Sequence, residues 1–319
     1  MINNTLINRL APFIPWFLFM LLALLWSGSF INIKVVVAFF PPAFASGMRV
    51  FISLICLSLL FYSLGKQLTL PFKETVLVWC TGLMTQAIPF SLLFYAERYV
   101  IPSVASIINS TVSLWSLLLG AMIFRDTSQL TAPKMAGVLL GILGMVIIFY
   151  PSLSLDAAPL GLILLTGMSI AYSVGALMTQ HMLFKNPRIT FEANLVQQHI
   201  VSLIFISFVS LMLEPMPEWH NLFHFQVMGA FLYLGVMATA LAWVIYFYLI
   251  KKWGAVRTGT VMYIVPLLAI LWDLLFLDMM PSNYQLLGTT TILLGVVLIQ
   301  VKRSGMAINQ RQIVHQESP

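Results

Sequence analysis

Four ionisable residues, Lys34, Arg49, Glu97 and Asp273, lie within or at the end of long apolar stretches of this chain. A charge at the centre of a bilayer costs roughly 2.5–3.5 kcal/mol on insertion scales, so such residues tend to pair or to serve a function. Two acids and two bases at similar depth could neutralise one another, close a polar gate near the outer face, or carry a coupling proton. The alternative is that Lys34 and Arg49 extend to the lipid headgroups and that Glu97 is in water. Asp273 is the best functional candidate, because its short side chain cannot reach far.

Two of the apolar stretches carry polar side chains that fall on one helical face. One face consists of Ser106, Asn109, Ser110, Ser113 and Ser116. The other consists of Thr166, Ser169, Tyr172, Ser173 and Gln180. Since polar faces avoid lipid, Asn109, Ser113, Ser169 and Tyr172 are candidate substrate-binding residues on a water-filled path. The alternative is helix–helix packing, because small hydroxyl residues allow backbones to approach closely and bond across the interface.

Three aromatic residues inside apolar stretches, Trp26, Trp243 and Tyr263, complete the set of candidate substrate-binding residues. Their rings could stack against a flat or apolar substrate. They could equally fill the core between helices, and the sequence leaves both interpretations open.

These residues form no recognisable catalytic or metal-binding set. Asp273 has no second acid near the middle of a stretch, and neither an HExxH motif nor a phosphate-binding loop is present. His220 and His224 are four residues apart, but two ligands alone do not make a zinc site. Cys56 and Cys80 both fall inside apolar stretches, which argues against a disulfide framework. We therefore expect no enzyme, no cofactor and no metal.

The elements that must position these residues are ten apolar stretches, in a chain that is 60% hydrophobic and only 8% charged. About 20 residues in a helix cross the ~30 Å hydrocarbon core of a bilayer. The sequence thus predicts an all-α membrane protein with ten transmembrane helices and no sizeable soluble domain. We place the helices at 14–36, 44–64, 75–96, 104–124, 135–150, 158–180, 193–213, 227–249, 258–277 and 284–301, with the fifth the shortest.

The distribution of basic residues predicts the orientation, because loops rich in Lys and Arg stay in the cytoplasm. With a cytoplasmic N-terminus, 13 of the 16 basic residues fall on the inner side. They are Arg9, Lys66, Lys73, Arg125, Lys134, Lys185, Arg188, Lys251, Lys252, Arg257, Lys302, Arg303 and Arg311. Only Arg98 falls in an outer loop, whereas the outer loops hold Asp156, Glu214, Glu218 and Asp278. Both termini are therefore expected in the cytoplasm, and the net charge of +6 reflects topology rather than nucleic-acid binding.

The two halves of the chain resemble each other. The segment LLWSGSFINIK (24–34) aligns with IAYSVGALMTQ (170–180), and AGVLLGILGMVII (136–148) aligns with LGTTTILLGVVLI (287–299). Asp126 and Asp278 mark corresponding turns. Because each half holds five predicted helices, the second copy must be inverted, as in many secondary transporters. We predict a first repeat at 1–150, a second at 151–301, and a polar cytoplasmic tail at 302–319.

The chain resembles the drug/metabolite transporter superfamily, specifically the EamA-type permeases. The resemblance covers about residues 17–301 and is carried by LLWSGSFINIKVVVAFFPPAFASGMRVF and YLGVMATALAWVIYFYLIKKWGAVRTGTVMYIVPLLAILWDLLFLD. The glycine–glutamate turn usual in that family is replaced here by Phe124-Arg125-Asp126 and Leu277-Asp278. The resemblance implies a ten-helix bundle of two inverted repeats, with a central cavity lined largely by helices 1, 3, 4, 6, 8 and 9. It makes Gln198 a further candidate cavity residue.

We expect a secondary active transporter, an exporter of small organic metabolites such as amino acids, working by alternating access with proton coupling or exchange. The expected partners are a small-molecule substrate and the lipid bilayer, and a homodimer is left open. The expected location is the inner (plasma) membrane of a bacterium. The alternatives are a non-transporting membrane scaffold and an intramembrane enzyme.

Overall fold

The computed structural model describes residues 13–124, 130–150, 158–253 and 258–300 of the chain. Predictions made for Arg9, Arg125, Asp126, Asp156, Arg257 and the tail 302–319 fall outside the described residues. Within the described ranges a helix lies at each of the ten predicted stretches, and no strand occurs. The helices are α1 (Ile14–Phe39), α2 (Pro42–Ser63), α3 (Phe72–Ala96), α4 (Pro102–Ser110 continued by Val112–Phe124), α5 (Ala132–Phe149), α6 (Ala158–Lys185), α7 (Phe191–Leu213), α8 (Phe225–Trp253), α9 (Val261–Leu277) and α10 (Asn283–Gln300).

Eight of these helices, α1 to α8, are long and apolar enough to cross a membrane, and α9 and α10 are shorter apolar helices. The predicted boundaries agree with the observed ones to within five residues. The prediction that the fifth helix is the shortest is wrong for the described residues, because α5 has 18 residues and α9 has 17. At the predicted start of the ninth helix, residues 258–259 are helical, but a turn at Thr260 separates them from α9, which begins at Val261.

Proline and hydroxyl residues set several helix ends. α2, α4 and α5 each carry a proline in the first two positions, where the missing N–H has no partner in any case. α4 is interrupted at Thr111, where the hydroxyls of Ser110 and Thr111 donate to the carbonyls of Ile107 and Ile108. Such local bonds compete with the helical backbone pattern and bend the helix.

Two helices contain π-helical segments, Leu83–Ala87 in α3 and Tyr233–Leu241 in α8. A π segment inserts an extra residue in a turn, so it rotates the helical faces on either side and opens backbone groups. Each π segment meets a polar residue of a neighbouring helix, as described below.

The helices pair in a regular pattern. α5 packs along α10, and α2 packs along α7. α1 contacts α8 and α9, whereas α6 contacts α3 and α4. α3 also contacts α7, and α8 also contacts α2. The largest group of buried apolar side chains lies mainly among α1, α3, α4, α6 and α8, so the polar residues of these helices are held inside a packed bundle.

Glycines allow the close contact between α5 and α10. A Cβ atom added at Gly137 would lie 2.5 Å from the carbonyl oxygen of Gly295, and one at Gly144 would lie 2.7 Å from that of Gly288. The face formed by Gly137, Gly141 and Gly144 is thus used for packing inside this chain. This is the common use of small residues between membrane helices, and it leaves the homodimer as an expectation only.

Candidate functional site

Lys34 of α1 reaches the end of α3 instead of the lipid headgroups. Its ammonium donates hydrogen bonds to the carbonyl oxygens of Glu97 (2.6 Å) and Val100 (2.9 Å). These carbonyls belong to the last turn of α3 and the residues after it, where backbone acceptors lack helical partners. A cation is favourable at this end of a helix dipole. Lys34 therefore fixes the start of the α3–α4 corner, which we define as residues 97–103.

Asp273 of α9 holds the other end of the same corner. Its side chain is 1% exposed, and its Oδ2 accepts a hydrogen bond of 3.0 Å from the backbone N–H of Ser103 in the first turn of α4. A carboxylate is favourable at a helix N-terminus for the same reason that a cation is favourable at a C-terminus. Lys34 lies within electrostatic range of both Asp273 and Glu97. Two opposite charges from α1 and α9 thus hold the two helix ends of one corner.

Glu97 is completely buried, so the alternative that places it in water is wrong. Neither of its carboxylate oxygens has a hydrogen-bond partner among the described residues, and the same holds for Oδ1 of Asp273. Buried polar atoms without partners are uncommon and need an explanation.

Arg49 of α2 is 5% exposed and points into the bundle, so its predicted alternative, a side chain extended to the headgroups, is also wrong. Its Nε donates to Oγ1 of Thr239 in the π segment of α8, at 2.8 Å. Its guanidinium carbon lies 4.4 Å from the ring centre of Phe90 on α3, a cation–π contact. Glu97 and Tyr172 are within its electrostatic range.

The structure thus brings together Lys34 of α1, Arg49 of α2, Asp273 of α9 and Glu97 of the α3–α4 corner. We call these four residues the outer cluster, after the membrane face that they are expected to approach. None of the four forms an ion pair within 4.0 Å with another described residue. Lys34 and Asp273 bond to backbone groups, Arg49 bonds to the side chain of Thr239, and the charges act on one another only at longer range. Their role in gating or coupling stays a prediction.

Two of the aromatic candidates lie together between α1 and α8. Trp26 meets Trp243 edge-on at 6.4 Å, and both rings contact Tyr246. On the other side of the bundle Tyr172 of α6 meets Phe90 of α3, also edge-on at 6.4 Å. All of these rings except Phe90 are only partly buried, so part of their surface is free to contact another molecule.

The polar candidates divide into two groups. The hydroxyl of Ser169 is buried and donates to the carbonyls of Ile108 on α4 and Leu165 on α6. Ser173 likewise reaches Val112 of α4, so the α6 serines favour the helix-packing alternative. Asn109, by contrast, is half-buried, and its side chain makes no hydrogen bond within the described part of the chain. Ser113, also half-buried, makes only a weak bond to its own helix, at 3.3 Å.

Tyr263 is separate from these residues. Its hydroxyl lies 3.4 Å from the carbonyl oxygen of Val296. It lines a cleft of about 300 Å³ at the ends of α1, α8 and α9 that are expected to face the cytoplasm, together with Trp16, Phe19, Met20, Trp253, Thr260 and Ile264.

One polar network was not predicted from the sequence as a unit. The amide of Gln198 on α7 uses all its groups: Oε1 accepts from Thr85 and Gln86, and Nε2 donates to Thr81 and Asn194. These partners surround the π segment of α3. The signal in the sequence that could have indicated this network is the presence of Thr81, Thr85 and Gln86, which are polar residues in an apolar stretch.

A second feature was also missed at the N-terminal end of α2. The carboxylate of Glu214 accepts the backbone N–H groups of Ala43 (2.7 Å) and Phe44 (2.9 Å). The sequence had shown Glu214 only as an acidic loop residue, because nothing in its neighbourhood reveals a contact 170 residues away.

Comparison with known proteins agrees with this architecture. The model of the EamA-like transporter family matches twice, at residues 14–150 and 159–301. The chain is 23% identical to an uncharacterized transporter of Archaeoglobus fulgidus over 90% of this chain and 99% of that protein. It is also 23% identical to proteins named "Probable amino-acid metabolite efflux pump" of Salmonella typhimurium and Escherichia coli, over 88% of this chain and 93% and 92% of those proteins. A crystal structure of a protein with 18% identity matches with a TM-score of 0.63, over 88% of this chain and 94% of that one, which concerns the fold alone.

Proposed function

The chain belongs to the EamA-like transporter family, and from that premise we propose that it is a secondary active transporter of small organic metabolites such as amino acids. The relatives named for amino-acid metabolite efflux support export as the direction. We place it in the inner membrane of a bacterium with both termini in the cytoplasm, as the basic residues predict. The driving force is a proton gradient or exchange.

The proposed mechanism is alternating access between two inverted five-helix repeats, residues 1–150 and 151–301. The pairing of helices supports this arrangement. When each helix is exchanged for the one five places away, the pair α1–α9 becomes α6–α4, α3–α6 becomes α8–α1, and α3–α7 becomes α8–α2. All of these pairs are present. The pairs α5–α10 and α2–α7 map onto themselves, as expected for helices on a two-fold axis.

Individual residues follow the same exchange. Arg49 is the eighth residue of α2, and Gln198 is the eighth residue of α7. Their partners Thr239 and Gln86 are each the fifteenth residue of their helices, α8 and α3. Each π segment is thus hydrogen-bonded by a residue at an equivalent position of a neighbouring helix. Arg49 and Gln198 are expected to lie near opposite membrane faces.

The aromatic pairs give a second correspondence. Trp243 and Phe90 are each the nineteenth residue of α8 and α3. Trp26 and Tyr172, which the sequence alignment of the two halves matches, meet them edge-on with the same separation of 6.4 Å and the same interplanar angle of 75°. Related rings on both sides of the bundle support a substrate path between them, and Trp26, Asn109, Tyr172 and Trp243 are the residues that we propose to line it.

The observation that carries the proposal is the outer cluster. Charges buried at membrane depth are expensive, and in membrane proteins they mark substrate and ion pathways or proton relays. Lys34 and Asp273 hold the two ends of the α3–α4 corner, so we propose that they form the outer gate and that its release opens the path outward. Because Lys34 and Asp273 bond to backbone atoms of the α3–α4 corner, the corner can move away from α1 and α9 without separating an ion pair.

The test is counterflow in proteoliposomes, with a panel of labelled amino acids, sugars and organic cations at two pH values. We expect an unlabelled amino acid inside the vesicles to drive transient uptake of its labelled form. Lys34→Met should abolish this exchange, whereas Lys251→Met, which removes an exposed cation at the end of α8, should retain it. If the wild-type protein exchanges no member of the panel, transport is contradicted and the scaffold alternative is favoured.

A further inference from the structure

The guanidinium of Arg49 is a buried cation without an anionic partner. Arginine remains ionised under all conditions that proteins experience, and a buried unpaired charge is costly. No carboxylate oxygen of a described residue lies within 4.0 Å of it. Glu97 acts on it only at longer range. The fold therefore keeps a positive charge in its interior and leaves that charge uncompensated at short range.

The terminal nitrogens of Arg49 are the unused part of the group. Its one hydrogen bond within the described part of the chain is from Nε to Thr239. The guanidinium carbon lies 4.4 Å from the centre of the Phe90 ring, and the bond from Nε to Thr239 holds the near end of the group. The two terminal nitrogens of a guanidinium form a planar fork, and that fork matches the two oxygens of a carboxylate.

The equivalent position in the second half of the chain shows that structure alone does not require this arrangement. Gln198, also the eighth residue of its helix, contacts the other π segment with a neutral amide. The oxygen and nitrogen of this amide are all hydrogen-bonded, to Thr81, Thr85, Gln86 and Asn194. A neutral, fully satisfied side chain thus suffices for packing against a π segment. A charged side chain with unused donors points to a ligand.

We propose that the fork of Arg49 binds the carboxylate of the transported molecule, with the partly buried ring of Tyr172 against its apolar part. The substrate class is therefore small organic carboxylates, with or without an amino group. The inference rests on the proposed transport function and makes Arg49 a residue that determines specificity. Arg49 reaches the junction of α2, α3, α6 and α8, where both repeats of the proposed mechanism would contact the substrate.

The experiment compares matched probes in proteoliposome counterflow and in thermal unfolding in detergent. The probes are L-phenylalanine, L-leucine, 3-phenylpropionate and succinate, with the methyl esters of each and the amines phenethylamine and isoamylamine. We expect at least one carboxylate to be exchanged and to raise the melting temperature. Its ester and amine should bind about ten- to a hundredfold more weakly, as loss of a charge-assisted hydrogen-bond pair implies.

Variants separate recognition from folding. Arg49→Lys keeps the buried positive charge but not the fork, and it should reduce the preference for the carboxylate over the ester about tenfold. Arg49→Gln should remove the preference. Arg188→Gln, which removes an exposed arginine between α6 and α7, should leave the preference unchanged.

Two results would overturn the inference in distinguishable ways. If esters and amines are exchanged as well as carboxylates, or if both Arg49 variants keep the wild-type preference, the assignment of Arg49 fails and the transport function stands. If no probe is exchanged or raises the melting temperature, the assignment of Arg49 fails, and the transport function fails with it when the wider panel of amino acids, sugars and organic cations is not exchanged either.

Discussion

The hydrogen bond between Asp273 and the backbone of Ser103 predicts how the proposed outer gate responds to a single substitution. Asp273→Ala removes the bond, and Asp273→Asn keeps an acceptor oxygen but removes its charge. If the bond holds the α3–α4 corner in the closed position, both changes should raise the fraction of molecules that are open to the outside.

The magnitude follows from the geometry. The bond is 3.0 Å long, lies at the N-terminus of α4, and is made by a side chain that is 1% exposed. A bond to a charged group contributes about 1.5–3 kcal/mol, so Asp273→Ala should shift the open–closed equilibrium by roughly ten- to a hundredfold. A neutral bond is about half as strong as a charge-assisted one, so Asp273→Asn should shift it by roughly fivefold.

The assay is labelling of a single cysteine below the gate. Ser106→Cys, in α4 and 1% exposed, is introduced where Cys56 and Cys80 have been replaced by Ser. A membrane-impermeant maleimide is added outside intact cells. We expect the labelling rate to increase in the order wild type, Asp273→Asn, Asp273→Ala, up to the limit where the open form predominates.

Met279→Cys, which is 43% exposed after α9, controls for changes in reagent access and expression and should react equally in all three proteins. Equal labelling of Ser106→Cys in the three proteins, with the control unchanged, would refute the assignment of Asp273 to the gate.

Three further predictions concern stability, each measured as the melting temperature of the protein in detergent. Gly144→Ala places a Cβ 2.7 Å from the carbonyl oxygen of Gly288 and should cost about 1–3 kcal/mol, whereas Gly229→Ala, with nothing within 4 Å of the new atom, should not lower the melting temperature. Glu214→Ala leaves two N–H groups of the first turn of α2 without their acceptor and should cost about 0.5–2 kcal/mol; an unchanged melting temperature would contradict the cap. Gln198→Leu strands the polar groups around the π segment of α3 and should cost about 1–3 kcal/mol, and a more stable variant would show that this network is dispensable.

The helices could be predicted from sequence because the bilayer constrains them strongly. A segment in hydrocarbon must satisfy its backbone internally and must be about 20 residues long, so length and hydropathy together locate each helix. The predicted start of the ninth helix, residue 258, lies three residues before α9, because residues 258–259 are also helical and only a turn at Thr260 separates them from Val261. Hydropathy does not register such a local break in the helical hydrogen-bond pattern.

The members of the outer cluster could be predicted, but their partners could not. Charge and depth alone identified Lys34, Glu97 and Asp273. Lys34 and Asp273 bond to backbone groups of the α3–α4 corner, and every residue has such groups, so no side-chain pattern reveals them. The alternative for Glu97 was wrong because its distance from the helix end does not report what packs over it.

The polar faces show a different limit. Ser169 and Asn109 have the same helical spacing signature, yet the first bonds a neighbouring helix and the second bonds no described residue. Spacing predicts which residues share a face, but the neighbour of that face is decided by the whole bundle. The π segments are a similar case, because the equivalence of Arg49 and Gln198 becomes visible only when their contacts are known.

The central claim, that the two halves open to opposite sides in alternation, is tested most directly by measuring both sides of one protein. Ser106→Cys reports access from outside, and Ile264→Cys, in the cleft at the expected cytoplasmic ends of α1, α8 and α9, reports access from inside in inverted vesicles. The account predicts that Asp273→Ala accelerates labelling at Ser106→Cys and slows it at Ile264→Cys, because one equilibrium governs both. Faster labelling at both positions, or a change at the outer position alone, would contradict alternating access.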